Sequence, residues 1–267
     1  MEKYKTTIFV VLGLAIIASI AVLWFGRVSH KQTPEALSSV TVNSLGGSTT
    51  GIQGGSVHML PQDSATVAPT VPMPNLDRAI PATTPDLDAA AYTQLLKDIS
   101  VAVDDLRKNP ASYQDWINLG LDRQMLSDYA GAEEVWIYAT KLAPQGEVAF
   151  ANLGNLYEIY LKEYSQSETY YQKAIAINPA DTNLYRSLFE LYSAHYKQGT
   201  SAAEDILKEG IAKNPTALDL QVLLARLYRD TSRTTEAKAE YDVAIKTATA
   251  IGNTLAVSQL QTEKIAF

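Results

Sequence analysis

The side chains of this 267-residue sequence that could do chemistry are paired carboxylates, histidines, tyrosines and a scatter of asparagines and arginines. Asp104-Asp105, Glu133-Glu134 and Glu204-Asp205 have the residue types of a general acid–base pair. On a helix, however, neighbours one apart point in different directions, so these pairs read as solvated faces. His30, His58 and His195 are far apart and there is no cysteine, which leaves no zinc or iron ligand set, no disulfide and no thiolate nucleophile. Gly46-Gly47 and Gly54-Gly55 follow no strand and lack the lysine of a phosphate loop. The expectation is no catalytic residue, no metal and no cofactor, hence no enzyme. A formal net charge of −7 also argues against a nucleic-acid binder whose affinity rests on neutralising phosphates.

What remains is recognition, and the elements that would position it fall into three parts. The run Thr6–Gly26 contains no charge, with Lys3 and Lys5 before it and Arg27 and Lys31 after it. As a helix rising ~1.5 Å per residue it spans roughly 30 Å, the thickness of a bilayer's hydrocarbon core. Residues 1–31 are therefore expected to be an N-terminal transmembrane anchor, with the span at about 6–26. A cleaved signal peptide is the competing reading, through Ser19-Ile20-Ala21, but Val22-Leu23-Trp24-Phe25 continues the apolar run beyond that point. The flanking charge is almost balanced. A short basic tail before one apolar run favours a cytoplasmic N-terminus with the rest of the chain extracytoplasmic.

Residues 32–85 hold seven of the eleven prolines, and five of the fourteen glycines fall between Gly46 and Gly55. No apolar periodicity survives there, so the stretch is expected to be a disordered, flexible Ser/Thr/Gly/Pro-rich linker.

From residue 86 the texture is helical. Thr84 is placed to cap and Pro85 to open a lead-in helix over 86–108, whose apolar face carries Leu95, Leu96, Ile99, Val103 and Leu106. Prolines then recur at Pro110, Pro144, Pro179 and Pro215. Between them one pattern returns: Trp116, Leu119, Gly120, Ala132 and Trp136; then Phe150, Leu153, Gly154, Tyr157, Ser167 and Tyr171; then Tyr185, Leu188, Tyr192, Ala203 and Leu207; then Leu224, Ala225, Tyr228, Ala237 and Tyr241. Small residues stand where a neighbouring helix must pass close, and a large wedge comes four residues after each small residue of the second helix. One such hairpin cannot bury its own faces, so consecutive hairpins are expected to stack.

These residues resemble the tetratricopeptide repeat, whose signature is W-x2-L-G-x2-Y, then A-x3-F, then P. The resemblance covers about Tyr113–Ile251. Arg123 departs from its tyrosine, Phe189 from its glycine, Gln221 from its aromatic and Thr249 from its closing proline. The second and third copies carry one and two extra residues, expected in the turns near Ser165 and Gly199. The resemblance implies an all-α, right-handed α-solenoid of four helix pairs, at about 113–146, 147–181, 182–217 and 218–251, closed by a capping helix at about 254–266.

It also implies a concave groove lined by the first helix of each pair, where a peptide or protein partner lies. The residues that would face it are Asn118, Leu121, Asn152, Asn155, Arg186, Glu190, Arg226 and Arg229. Asparagine offers both donor and acceptor to an extended peptide backbone. Ile117, Leu121 and Ala151 stand where a carboxylate-clamping member would carry basic or polar groups, which argues against a chaperone-tail receptor. The function expected is a membrane-tethered protein–protein interaction scaffold of a bacterial envelope complex, serving assembly, secretion or surface organisation. The alternative is a structural component that self-associates as a homo-oligomer, its groove filled in cis or by another copy.

Overall fold

The computed structural model describes residues 72–80 and 87–267, within the second of two compact units, Pro61–Phe267. Ten helices succeed one another, with no strand among the described residues: α1 (Ala89–Lys108), α2 (Tyr113–Met125), α3 (Tyr129–Leu142), α4 (Glu147–Asn155, continued by a π turn, Leu156–Tyr160), α5 (Tyr164–Ile177), α6 (Thr182–Ala194), α7 (Ala202–Lys213), α8 (Leu218–Asp230), α9 (Thr234–Ala250) and α10 (Thr254–Ile265). Each helix packs mainly on its predecessor and successor in the chain, as in an α-solenoid. The apolar run 6–26 lies outside the described residues. Among the described residues no helix is long and apolar enough to cross a membrane.

Local chemistry starts and stops the helices. Asp88, Ser112, Asp128, Asp181 and Asn253 each accept a hydrogen bond at the N-terminus of the next helix. For α1 the cap is thus Asp88; Thr84 and Pro85 lie outside the described residues. The first helix of every pair ends at a residue with positive φ that is not glycine: Ser127, Lys162, Lys197 and Ser232, at 57–62°. This left-handed step costs roughly 1 kcal/mol for an L-residue. It returns the next backbone N–H to the end of the helix just left, as in Asp128 N to Arg123 O and Arg233 N to Tyr228 O, both 2.8 Å.

Within a pair, a small residue on the first helix admits an aromatic from the second. A Cβ added at Gly120 would sit 2.1 Å from Trp136 Nε1, and one at Gly154 2.6 Å from Tyr171 Cδ1. Trp136 is fully buried and its indole donates to the Ile117 carbonyl at 3.2 Å. In the third pair the sizes are exchanged, with Phe189 in the glycine's place and Leu207 in the wedge's.

Two hydrogen-bond series recur along the array. The first ties the fourth position of a repeat to the proline carbonyl six residues earlier: Trp116 to Pro110 (2.9 Å), Tyr185 to Pro179 (3.2 Å) and Gln221 to Pro215 (2.8 Å). Gln221 is not aromatic, but its amide keeps the bond, and it is buried for that reason. The second series joins neighbouring pairs. The hydroxyls of Tyr157, Tyr192 and Tyr228 donate to Glu133, Glu168 and Glu204, each 24 residues back on the preceding second helix. Lys208 and Arg233 also donate to Glu204, holding its carboxyl down at about 2. Counting back the same distance from Arg123 reaches Ile99, which offers no acceptor, so the arginine turns to Asp128 at 2.6 Å in a fully buried pair.

The extra residue of the second repeat is not near Ser165. It is taken up in the π turn of α4, where Leu161 N bonds to Leu156 O at 3.0 Å. A π turn inserts a residue without ending the helix, and it rotates the residues beyond it. The third repeat spends one of its two extra residues at the end of α6 and the other in the loop around Gly199.

Gly120→Ala should destabilise the chain by about 2–3 kcal/mol in urea unfolding, because neither Trp136 nor the α2 backbone can retreat. Gly252→Ala, where a Cβ meets nothing within 4 Å, should cost about 1 kcal/mol, through its φ of +73° alone.

Candidate partner-binding groove

The first helices α2, α4, α6 and α8 carry the eight residues singled out from the sequence, and their surroundings differ. Asn118 is half-buried and accepts from Gln114 at 3.1 Å. Leu121 packs against the first apolar cluster of the core. One pair further on, Asn155 is exposed and accepts from Gln124 at 3.4 Å, a bond that crosses from α2 to α4. Asn152 is half-buried, and its Nδ2 is enclosed without a hydrogen-bond partner. A buried donor left unpaired costs roughly 1–3 kcal/mol, so this amide has an outstanding demand for an acceptor.

On α6, Arg186 donates to Asn183 and lies close enough to Glu190 to act on its charge. Desolvation still pushes the Glu190 carboxyl up, against the pull of Arg186. Arg186 and Arg226 flank a hollow floored by Leu218, Val222 and Leu223.

Arg226 and Arg229 are not free to meet a partner directly. Arg226 grips Glu263 of α10 with two bonds, at 2.6 and 3.0 Å. Arg229 reaches the same carboxylate at 3.5 Å, Asp230 at 2.8 Å and the Tyr241 hydroxyl at 3.2 Å. Tyr241 also donates to Glu263, at 2.9 Å. The last helix therefore supplies a counter-ion for this end of the row. With its arginine bonds it holds the Glu263 carboxyl below the ordinary range.

One carboxyl of the row is strongly perturbed: Glu158, which sequence reasoning missed. It sits in the π turn, is buried, and accepts from the Tyr171 hydroxyl at 3.1 Å. Burial pushes its carboxyl up to about 7; the Tyr171 bond opposes this and the charge of Glu190 adds to it. Asn155 and Ser187 also hydrogen-bond the Tyr171 hydroxyl, so the polar network runs from Gln124 on α2 to α6. The signal was present in the 35-residue length of the second repeat, since an inserted residue within a helix must rotate something inward. Among the described residues no group of three His, Cys, Asp or Glu could hold a metal ion.

Because Glu158 binds its proton more tightly folded than unfolded, the unfolded chain holds fewer protons between about pH 4.5 and 7. Stability from this group is present at low pH and is lost as pH rises through that window, by at most about 3 kcal/mol. Glu158→Gln should flatten that part of the Tm–pH curve and raise Tm at pH 8, measured by calorimetry across pH 5–8.

The comparisons with known proteins fit this geometry. The tetratricopeptide repeat family model matches residues 148–181, the α4–α5 pair with its glycine, wedge and closing proline. No curated protein matches the chain. Among solved structures it is similar to MamA, at 17% identity over 62% of this chain and 98% of that one, with a TM-score of 0.48. It is also similar to YrrB, described as a TPR protein with an unusual peptide-binding site, at 13% identity over 62% and 85% of the two chains, TM-score 0.44. Pseudomonas aeruginosa PilF matches at 14% identity over 65% and 86%, TM-score 0.47. Residues 148–181 thus carry the tetratricopeptide repeat signature, and the same helix pair returns on either side of them.

Proposed function

We propose that this protein is a membrane-tethered interaction scaffold that binds an extended peptide or protein segment along the row formed by α2, α4 and α6. The observation that carries the reading is the polar row itself. Asn152 has an enclosed amide without an acceptor, Asn155 keeps an exposed edge, and Glu158 and Glu190 face each other's charge. An extended backbone alternates carbonyls and amides, so it supplies partners for the exposed Asn155 and Glu190. The apolar run 6–26 with basic residues on both sides supports the tether. Anchoring the array to a surface raises its effective concentration towards partners on that surface, without any new contact. The setting we favour is a bacterial envelope complex, with the N-terminus cytoplasmic and the repeats extracytoplasmic.

A second reading has an observation of its own. Glu263 already occupies Arg226 and Arg229, so part of the row is taken in cis, and Leu255 and Ile265 on the terminal helix are 69% and 82% exposed. These apolar side chains suit end-to-end association of two copies. Light scattering of the full chain in detergent separates the two readings, since a concentration-independent monomer removes self-association.

Affinity capture of the intact protein from its own membranes tests the leading reading. The triple variant Asn152→Ala, Asn155→Ala, Arg186→Ala should lose the specific prey at least ten-fold while still sedimenting with membranes. Retention of the same prey by that variant would remove the groove as the binding surface. The chain has no cysteine, so one introduced at Ser232 reports sidedness. Labelling by a membrane-impermeant maleimide in intact cells is expected.

A further inference from the structure

Residues 72–80, which the sequence places in the flexible linker, lie against α1 and α3. Asn75 closes a tight turn, its side chain accepting from Asp77 N at 2.9 Å while Arg78 N bonds back to its carbonyl at 3.2 Å. Pro74 is buried, and Leu76 is only 9% exposed, within the same apolar cluster as Leu95 and Ile99. Pro72 and Pro74 border a shallow hollow with Ala130, Ile137 and Tyr138 of α3. Arg78 reaches Asp128 at 3.3 Å and Glu134 at 3.2 Å, Asn75 N donates to Glu134 at 3.3 Å, and Arg107 of α1 holds Asp77.

This is the anatomy of peptide recognition: an apolar anchor in a pocket, one charge pair with a buried acid, and a main-chain bond that fixes direction. It lies on α1 and α3, not on the first helices that form the groove row.

The receptor side is specific to this pair. Asp128 is matched in later pairs by Glu163, Gln198 and Arg233, and Glu134 by Thr169, Asp205 and Ala239, so no later pair repeats both acids. Arg123, in the place that Tyr157, Tyr192 and Tyr228 occupy, donates to one oxygen of the buried Asp128, and the other oxygen accepts from both Gly131 N and Arg78. The departure of Arg123 from the repeat signature thus belongs to a docking site.

We infer that the face of α1 and α3 covered by residues 72–78 is a second peptide-binding site, selective for a segment of the pattern Pro-x-Pro-x-Leu-x-Arg that turns at its leucine. Residues 72–78 are its resident occupant, and a partner bearing the same pattern binds there by displacing them. The occupant is defined by its chemistry: two prolines that restrict the approach to the turn at low entropic cost, an aliphatic anchor, and a guanidinium two residues on that spans two carboxylates.

A labelled synthetic peptide of residues 72–80, titrated into the full chain by fluorescence anisotropy, tests this. It should bind the Leu76→Ala/Arg78→Ala chain, whose own segment is weakened, at least ten-fold more tightly than the wild-type chain. Adding Glu134→Lys should abolish that binding. Absence of binding to the double variant while its circular dichroism is unchanged, or binding indifferent to Glu134→Lys, would overturn the inference. A further readout needs no weakened segment. In the otherwise wild-type chain Glu134→Lys should speed amide hydrogen exchange across Leu76–Ile80. Unchanged exchange in Glu134→Lys would equally overturn it.

Discussion

How closely the two helices of a pair approach is the constraint on which the array depends. At Gly120 and Gly154 there is no room for a single carbon, because the indole of Trp136 and the ring of Tyr171 lie where it would go. That contact sets how close the helices of the first two hairpins lie, and in the second it positions the helix that presents Asn152 and Asn155. Packing of this density transmits small displacements instead of absorbing them. The tyrosine–glutamate bonds between pairs then fix each hairpin on the last. A groove built this way is positioned by its core, and the polar row contributes little to holding itself in place.

The fold was legible because its causes are local and repeat. The prolines, the small residues and the wedges each had a packing reason that could be read at one position and checked at the next. Gln221 shows where such reading stops. It breaks the aromatic pattern, yet it keeps the bond to the proline carbonyl that the aromatic position otherwise makes. A signature records residue types, whereas the structure conserves an acceptor. The exchange of sizes between Phe189 and Leu207 is the same lesson in volume: a wedge can enter from either side.

The site was less legible. Asn155 and Arg186 can be placed from helical phase alone, but phase fails where a helix changes its period. The π turn at Leu156–Tyr160 brought Glu158 inward to Tyr171, and no 3.6-residue reading could place it there. Arg226 and Arg229 lie on α8, the first helix of the last pair. Their engagement depended on Glu263, more than thirty residues away on a helix whose apolar positions were only partly in phase. Residues 72–80 were hidden for another reason. Proline-rich composition describes a segment that cannot build its own core, and it is silent about one that borrows a neighbour's.

On the proposed binding mode, the clasp between Arg226 and Glu263 would make the last helix a stop. A segment threading the row from the α2 end would find polar contacts as far as Arg186, and would then meet an arginine whose charge is already spent on the chain's own carboxylate. Going further would mean displacing Glu263, which only a guest with an acid at that distance could do without leaving the arginine unpaired. The array would then act as a ruler with a conditional last graduation: short guests measured by the first three helices, and the fourth open only to a guest with the right ending.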